Sequence, residues 1–248
     1  MQAYLKKSSA LDEILALALL EPAVRLRPFL GPNGERLWLK RASDLSARML
    51  PRRGETRRAF VHELSALRVL GKAGLPVPEI VAEGPDHFVL ADAGPTLAKV
   101  LRSSATPFAK RAAAFRAAGK AIGEVHAAGF AHGNPAISDI CWDGEAARFI
   151  DLERFAGRRR LALTQAMDVV AFASSYISEV EATGPYLDIA LDAYRAAAPA
   201  NAVQRVKRLA FWLSPIAALN APMHWVAPKA KGYLTTRRTL AYLRNLPI

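Results

Sequence analysis

The sequence predicts an α+β chain of two lobes: a small N-terminal antiparallel sheet with one helix, then a larger, mainly helical lobe. Three observations carry this expectation. Short strand-like apolar runs cluster before residue 92, helical spacing dominates after it, and a Gly94-Pro95 break separates the two regions. The expected lobes are 1–92 and 93–248.

Composition sets the outer bounds. Of 248 residues, 52% are apolar and 23% charged, as in a folded globular chain and unlike a disordered one. A single cysteine, Cys141, excludes an internal disulfide framework and a multi-cysteine metal cluster. It lies in an apolar run and reads as a small core residue.

Taken in order, the N-terminus opens with a weakly basic, apolar stretch, but Asp12 and Glu13 interrupt it, against a signal-peptide core. Ser9 with Asp12 reads as a helix N-cap followed by an amphipathic helix. Val24, Leu26 and Phe29-Leu30 then suggest a strand, Gly31 to Gly34 a tight turn, and Leu37 to Lys40 a returning strand. In the next segment Phe60, Leu64 and Leu67 form one apolar stripe of a helix. Glu63 borders that stripe, and because a buried unpaired charge is costly, Lys40 is its expected partner; the alternative is that Glu63 reaches solvent.

Two short strands are expected at Glu79–Val81 and His87–Leu90, and a long alanine-rich helix over 108–130. The helix feeds a polar loop, His132-Gly133-Asn134, with Asp139 following. A second short strand, Ala147 to Ile150, ends in Asp151, and further helices follow, one of them carrying Asp168. The apolar region from Leu209 is interrupted by proline, Ser214, Asn220 and His224, so a buried helix pair explains it better than a membrane span. A cytoplasmic protein is expected.

Net charge is +12, with clusters at Arg52-Arg53, Arg57-Arg58, Arg158 to Arg160, Lys229 with Lys231, and Arg237-Arg238. Such fields favour anionic partners, although each cluster also reads as a solvated surface. No zinc-finger spacing, RNP-like strand or repeat accompanies them, so a basic nucleic-acid binder stays a runner-up that rests on charge alone. A phosphorylated small molecule, an anionic saccharide acceptor, a protein or the inner face of a membrane fits better.

The order of parts from about residue 22 to 180 is hairpin, lysine strand, helix with Glu63, linker, long helix, His-Gly-Asn loop, strand, Asp151 and helix with Asp168. It resembles the protein-kinase-like fold in its compact bacterial form. The closest flavour is that of lipopolysaccharide-core (Kdo or heptose) kinases and aminoglycoside-phosphotransferase-like enzymes. The resemblance implies a nucleotide-covering first lobe and a second lobe with catalytic loop, metal site and helical bundle. It implies ATP and Mg²⁺ as cofactors, with Lys40 on the nucleotide phosphates and Glu63 orienting it. Gly31 and Gly34 would cover the phosphates, or simply turn a hairpin. Asp151 would bind Mg²⁺, His132 would brace the loop, and Asp168 would anchor it from beneath. Arg158, Arg159 and Arg160 would meet an anionic acceptor, because arginine binds phosphate and carboxylate bidentately.

The catalytic loop departs from the family pattern. Related enzymes read His-Gly-Asp with an asparagine five residues on; here the order is Asn134 and Asp139. An amide cannot take a proton from a hydroxyl, so Asn134 is no general base, whereas Asp139 can ligate a hard cation. Two readings stay open: an ATP- and Mg²⁺-dependent phosphotransferase, and a catalytically impaired pseudokinase serving as a nucleotide-binding or scaffolding module.

Overall fold

The computed structural model describes residues 2–22, 24–42, 53–219 and 231–247. Its architecture is mixed α+β. The chain forms two compact units, the first made of Met1–Ala73 and Val77–Asp92, the second of Gly74–Pro76 and Ala93–Ile248.

The first unit holds helix α1 (Gln2–Leu20), strands β1 (Leu26–Leu30) and β2 (Arg36–Arg41), helix α2 (Arg53–Lys72), and strands β3 (Ile80–Glu83) and β4 (His87–Ala91). The four strands form one antiparallel sheet in the order β1-β2-β4-β3. Strand alternation divides its side chains between two faces. Leu37, Leu39 and Val89 pack with Leu15 of α1 on one face. On the other, Lys40 is opposite Phe88, and both meet α2: the Phe60 and Phe88 ring centroids are 5.0 Å apart. The apolar stripe of α2 is buried at Phe60, Leu64, Leu67 and Leu70.

One expectation fails here. Helix α1 already runs through Ser9, so that residue is not its N-cap. The preceding glutamine, alanine, leucine and lysines are good helix formers and simply extend the helix.

The second unit contains α3 (Leu97–Arg102), α4 (Phe108–Ala127), the short hairpin β5 (Ile140–Trp142) and β6 (Ala147–Phe149), then α5 (Leu161–Val180), α6 (Pro185–Ala197), α7 (Ala202–Leu219) and α8 (Lys231–Arg244). Thr96 caps α3 by accepting the Lys99 N–H at 3.3 Å. Phe115 of α4 meets Phe172 and Tyr176 of α5 at the centre of the core. Helices α4 and α6 touch backbone to backbone. A Cβ at Gly119 would fall on the Ala190 carbonyl, and one at Gly123 would lie 2.7 Å from the Ala197 methyl. Cys141 is buried, as a core residue should be.

The apolar region from Leu209 is only partly interior. Val203, Val206 and Ala210 face inward on α7, whereas Phe211 and Trp212 are 60% and 67% exposed. The helical period explains this, since these two residues fall on the side of α7 opposite its buried stripe. The second half of the anticipated helix pair, 220–230, lies outside the described residues. Among the described residues, no helix is long and apolar enough to cross a membrane.

Candidate functional site

In the first unit, Lys40 Nζ donates to Glu63 Oε2, and both side chains are almost fully buried. The local sequence causes the contact: Lys40 occupies the β2 face turned to α2, and Glu63 sits one turn after Phe60 on the buried side of α2. Desolvation of the two buried charges offsets most of the Coulombic gain of such a pair.

The β1–β2 turn is closed on itself. Gly31 N–H donates to the Glu35 carbonyl (2.8 Å), Gly34 N–H to the Gly31 carbonyl (3.0 Å), and Asn33 N–H to the Glu35 carboxylate (2.7 Å). Gly34 has φ +77°, a conformation that glycine adopts without strain. With Pro32 lacking an N–H, the turn as folded directs these donors inward, and the Glu35 carboxylate stands beside them.

In the second unit, the loop after α4 is anchored by α5. The Asp168 carboxylate, fully buried, accepts the N–H of His132 at 2.7 Å and of Gly133 at 2.8 Å. Its Oδ2 also lies 3.3 Å from His126 Nε2, while His126 Nδ1 is 3.0 Å from the Tyr194 hydroxyl. One turn earlier on α5, Gln165 donates to the carbonyls of His126 (2.8 Å) and Phe130 (3.0 Å). The loop also pairs with the segment after Asp151: Ala131 N–H donates to the Gly157 carbonyl at 3.0 Å. Gly133, at φ +103°, runs so close to the Arg154 carbonyl that a Cβ would fall on it.

His132 is buried and packs its ring 5.0 Å from Phe149. Asn134 N–H donates to its Nδ1 at 3.4 Å, which places the ring proton on Nε2. Burial pushes the His132 pKa down, with the charges of Asp168 and Asp151 opposing it. The Asn134 carbonyl accepts from Ala136 at 3.0 Å, and Ala136 in turn accepts from Asp139 at 2.9 Å.

Asp139 and the segment leading to Asp151 are joined through the backbone at the end of this loop. Ile150 N–H donates to the Asp139 carbonyl at 2.8 Å, coupling the loop to the segment that leads from β6 to Asp151. Burial pushes the Asp139 carboxyl up from its ordinary value; the Ser138 hydroxyl, 2.8 Å away, opposes this, and the Asp151 charge adds to it. Asp151 itself has φ +60°, a left-handed conformation that aspartate adopts more readily than most side chains. Each of the two carboxylates offers the oxygen ligands that Mg²⁺ prefers.

Of the basic triplet, Arg158 lies over the Phe130 ring, 4.6 Å from its centroid, while Arg159 and Arg160 are exposed at the start of α5. Sequence reasoning did not single out His126, Gln165 or Tyr194. The available signal was the spacing of Gln165 and Asp168, two polar residues one turn apart among the apolar residues of α5.

No protein-family model matches the chain. It is 27% identical over 163 residues to an uncharacterized protein of Haemophilus influenzae, covering 66% of this chain and 67% of that one. Among solved structures, it resembles WbdD in complex with a kinase inhibitor, with 14% identity and a TM-score of 0.45 over 71% of this chain. A second structure of WbdD, described as a bifunctional kinase-methyltransferase, gives 11% identity and a TM-score of 0.43 over 90% of this chain. The chain spans less than half of those two proteins, 44% and 43% of their lengths.

Proposed function

We propose that the chain is a phosphotransferase of kinase-like fold that uses ATP and Mg²⁺ to phosphorylate a hydroxyl of a saccharide, lipopolysaccharide-core or other anionic acceptor. The observation that carries this reading is the Asp139–Asp151 pair, set at the end of a loop that Asp168 fixes through two backbone N–H groups. Asp151 and Asp139 hold the cation, Lys40 takes nucleotide phosphate, and Glu63 keeps the ammonium aimed. Asp168 fixes the loop through its backbone, and His132 braces it by packing on Phe149. When bound, Mg²⁺ and ATP supply a phosphoryl donor whose charge the metal offsets. The loose transition state of such transfers needs positioning and charge more than covalent help from the protein.

Arg159 and Arg160 offer bidentate donors to an anionic acceptor; Arg158, already stacked on Phe130, shapes that edge. The closed Gly31–Gly34 turn is the segment nearest in sequence logic to a phosphate cover, and it must release its own hydrogen bonds to act as one. Asn134 cannot accept the acceptor's proton, so turnover is expected to be slower by roughly 10²–10⁴ than with an aspartate there.

The same residue motivates a second reading, a pseudokinase that binds nucleotide without turnover. Calorimetric titration of ATP, with Mg²⁺ and then with EDTA, tests the first step. Binding that needs Mg²⁺ and is lost in Lys40→Ala and Asp151→Asn supports the nucleotide site; binding unchanged by both substitutions removes it. Phosphate transfer to any saccharide acceptor then eliminates the pseudokinase. Its absence, in the wild type and in Asn134→Asp/Asp139→Asn alike, favours the pseudokinase.

A further inference from the structure

The exposed side of α7 has no counterpart in phosphotransfer. Gln204, Arg208, Phe211, Trp212 and Pro215 lie on one arc of the helix, and all are exposed. The two aromatic rings stand edge to face, 6.0 Å apart at 83°, at 60% and 67% exposure. Isolated apolar residues on a surface are ordinary, but an adjacent Phe-Trp pair on a helix whose other side is already buried calls for a partner.

The charge around it indicates which partner. From Ala193 to Ile248, 56 residues contain nine lysines and arginines and no aspartate or glutamate, so this end supplies a formal +9 of the chain's +12. Arg205, Lys207 and Arg208 immediately precede the aromatic pair. From Leu209 to Pro228 the sequence then has no lysine, arginine, aspartate or glutamate. Basic residues followed by the exposed Phe211-Trp212 pair and a sequence run without charge match a bilayer interface. There, cations meet anionic headgroups and Trp and Phe enter the acyl boundary. Nucleic acid would call for aromatics interspersed with the cations along a groove.

We propose that the Arg208–Phe211–Trp212 face of α7 docks the protein on an anionic lipid surface. This does not depend on phosphotransfer, and its test reads no nucleotide binding. Full-length protein is mixed with vesicles of phosphatidylcholine alone, or of phosphatidylcholine with phosphatidylglycerol, and the bound fraction is measured by flotation. Binding is expected only to the anionic vesicles, weakening as salt is raised. The double variant Phe211→Ser/Trp212→Ser should bind weaker by roughly tenfold or more. Arg208→Glu should also weaken it. Because both rings are exposed, the double variant is expected to melt at the wild-type temperature by circular dichroism, separating docking from folding. Four results would overturn the proposal. The wild type could stay unbound with anionic vesicles, or the double variant could float as well as the wild type. The two substitutions could instead convert a dimer to a monomer, or their main effect could be lost binding to random-sequence RNA.

Discussion

Replacing Asp168 with asparagine tests how the loop is held. The wild-type carboxylate is fully buried and accepts two backbone N–H groups, from His132 at 2.7 Å and Gly133 at 2.8 Å, with His126 Nε2 at 3.3 Å. Asparagine keeps one oxygen and turns an NH₂ toward the other donor, so at least one backbone N–H faces a donor in place of an acceptor. A hydrogen bond to a charged group contributes about 1.5–3 kcal/mol, and a buried donor without a partner costs about 1–3 kcal/mol. Together they give roughly 2.5–6 kcal/mol, a large share of the ~5–15 kcal/mol that holds a typical domain. The chain forms two compact units, so one global melt need not report this loss. Amide hydrogen exchange over 130–134 reads it locally. At about 1.4 kcal/mol per factor of ten, the His132 and Gly133 amides should exchange roughly fiftyfold to ten-thousandfold faster in Asp168→Asn. Exchange within about threefold of wild type would refute the anchoring role, since that corresponds to well under 1 kcal/mol.

Lys40→Met strips the ammonium from beside a buried Glu63 carboxylate and should cost about 3–5 kcal/mol in urea unfolding. Lys40→Met/Glu63→Leu should cost much less than the two single changes added together. Gly133→Ala combines a left-handed backbone with a Cβ on the Arg154 carbonyl and should destabilise by at least ~2 kcal/mol. Gly144→Ala, at φ +113° but in open space, should show only conformational strain of about 1 kcal/mol in the same melts. The buried His132 has its pKa lowered, so the folded state binds fewer protons than the unfolded chain. Its contribution is present above the ordinary value of 6.5 and is lost as pH falls below it. The thermal midpoint should therefore drop between pH 6.5 and about pH 5, and His132→Leu should flatten that slope.

Much of the first unit was readable from periodicity, because its elements are set by local patterns. The alternation of Leu37 and Leu39 with Lys40 fixes which side of β2 meets which helix. The Phe60–Leu64–Leu67 stripe orients α2 so that Glu63 turns inward. Boundaries moved by a residue or two where edges lack a cap, and Ser9 misled because capping chemistry sits equally well inside a helix whose neighbours propagate it. In the second unit, the loop residues were visible in order, but their support was not. His126 and Tyr194 come from α4 and α6, and only the packing of those helices with α5 brings them to Asp168 and Gln165. Phe211 and Trp212 were misplaced for a simpler reason: hydropathy along a sequence does not say which side of a helix is covered.

The Gly119 and Gly123 contacts with α6 bear on how this protein comes apart. At Gly119 and Gly123 main-chain atoms of the two helices come into direct contact, and Tyr186 and Tyr194 of α6 pack on Phe115 and His126 of α4, so α6 leaves all of these contacts together when it lifts away. Tyr194 leaves with α6, and with it the hydroxyl beside His126. Fraying at α6 should therefore register at the His132–Gly133 loop as one cooperative opening, with the amides of α4, α6 and the loop sharing a single exchange rate.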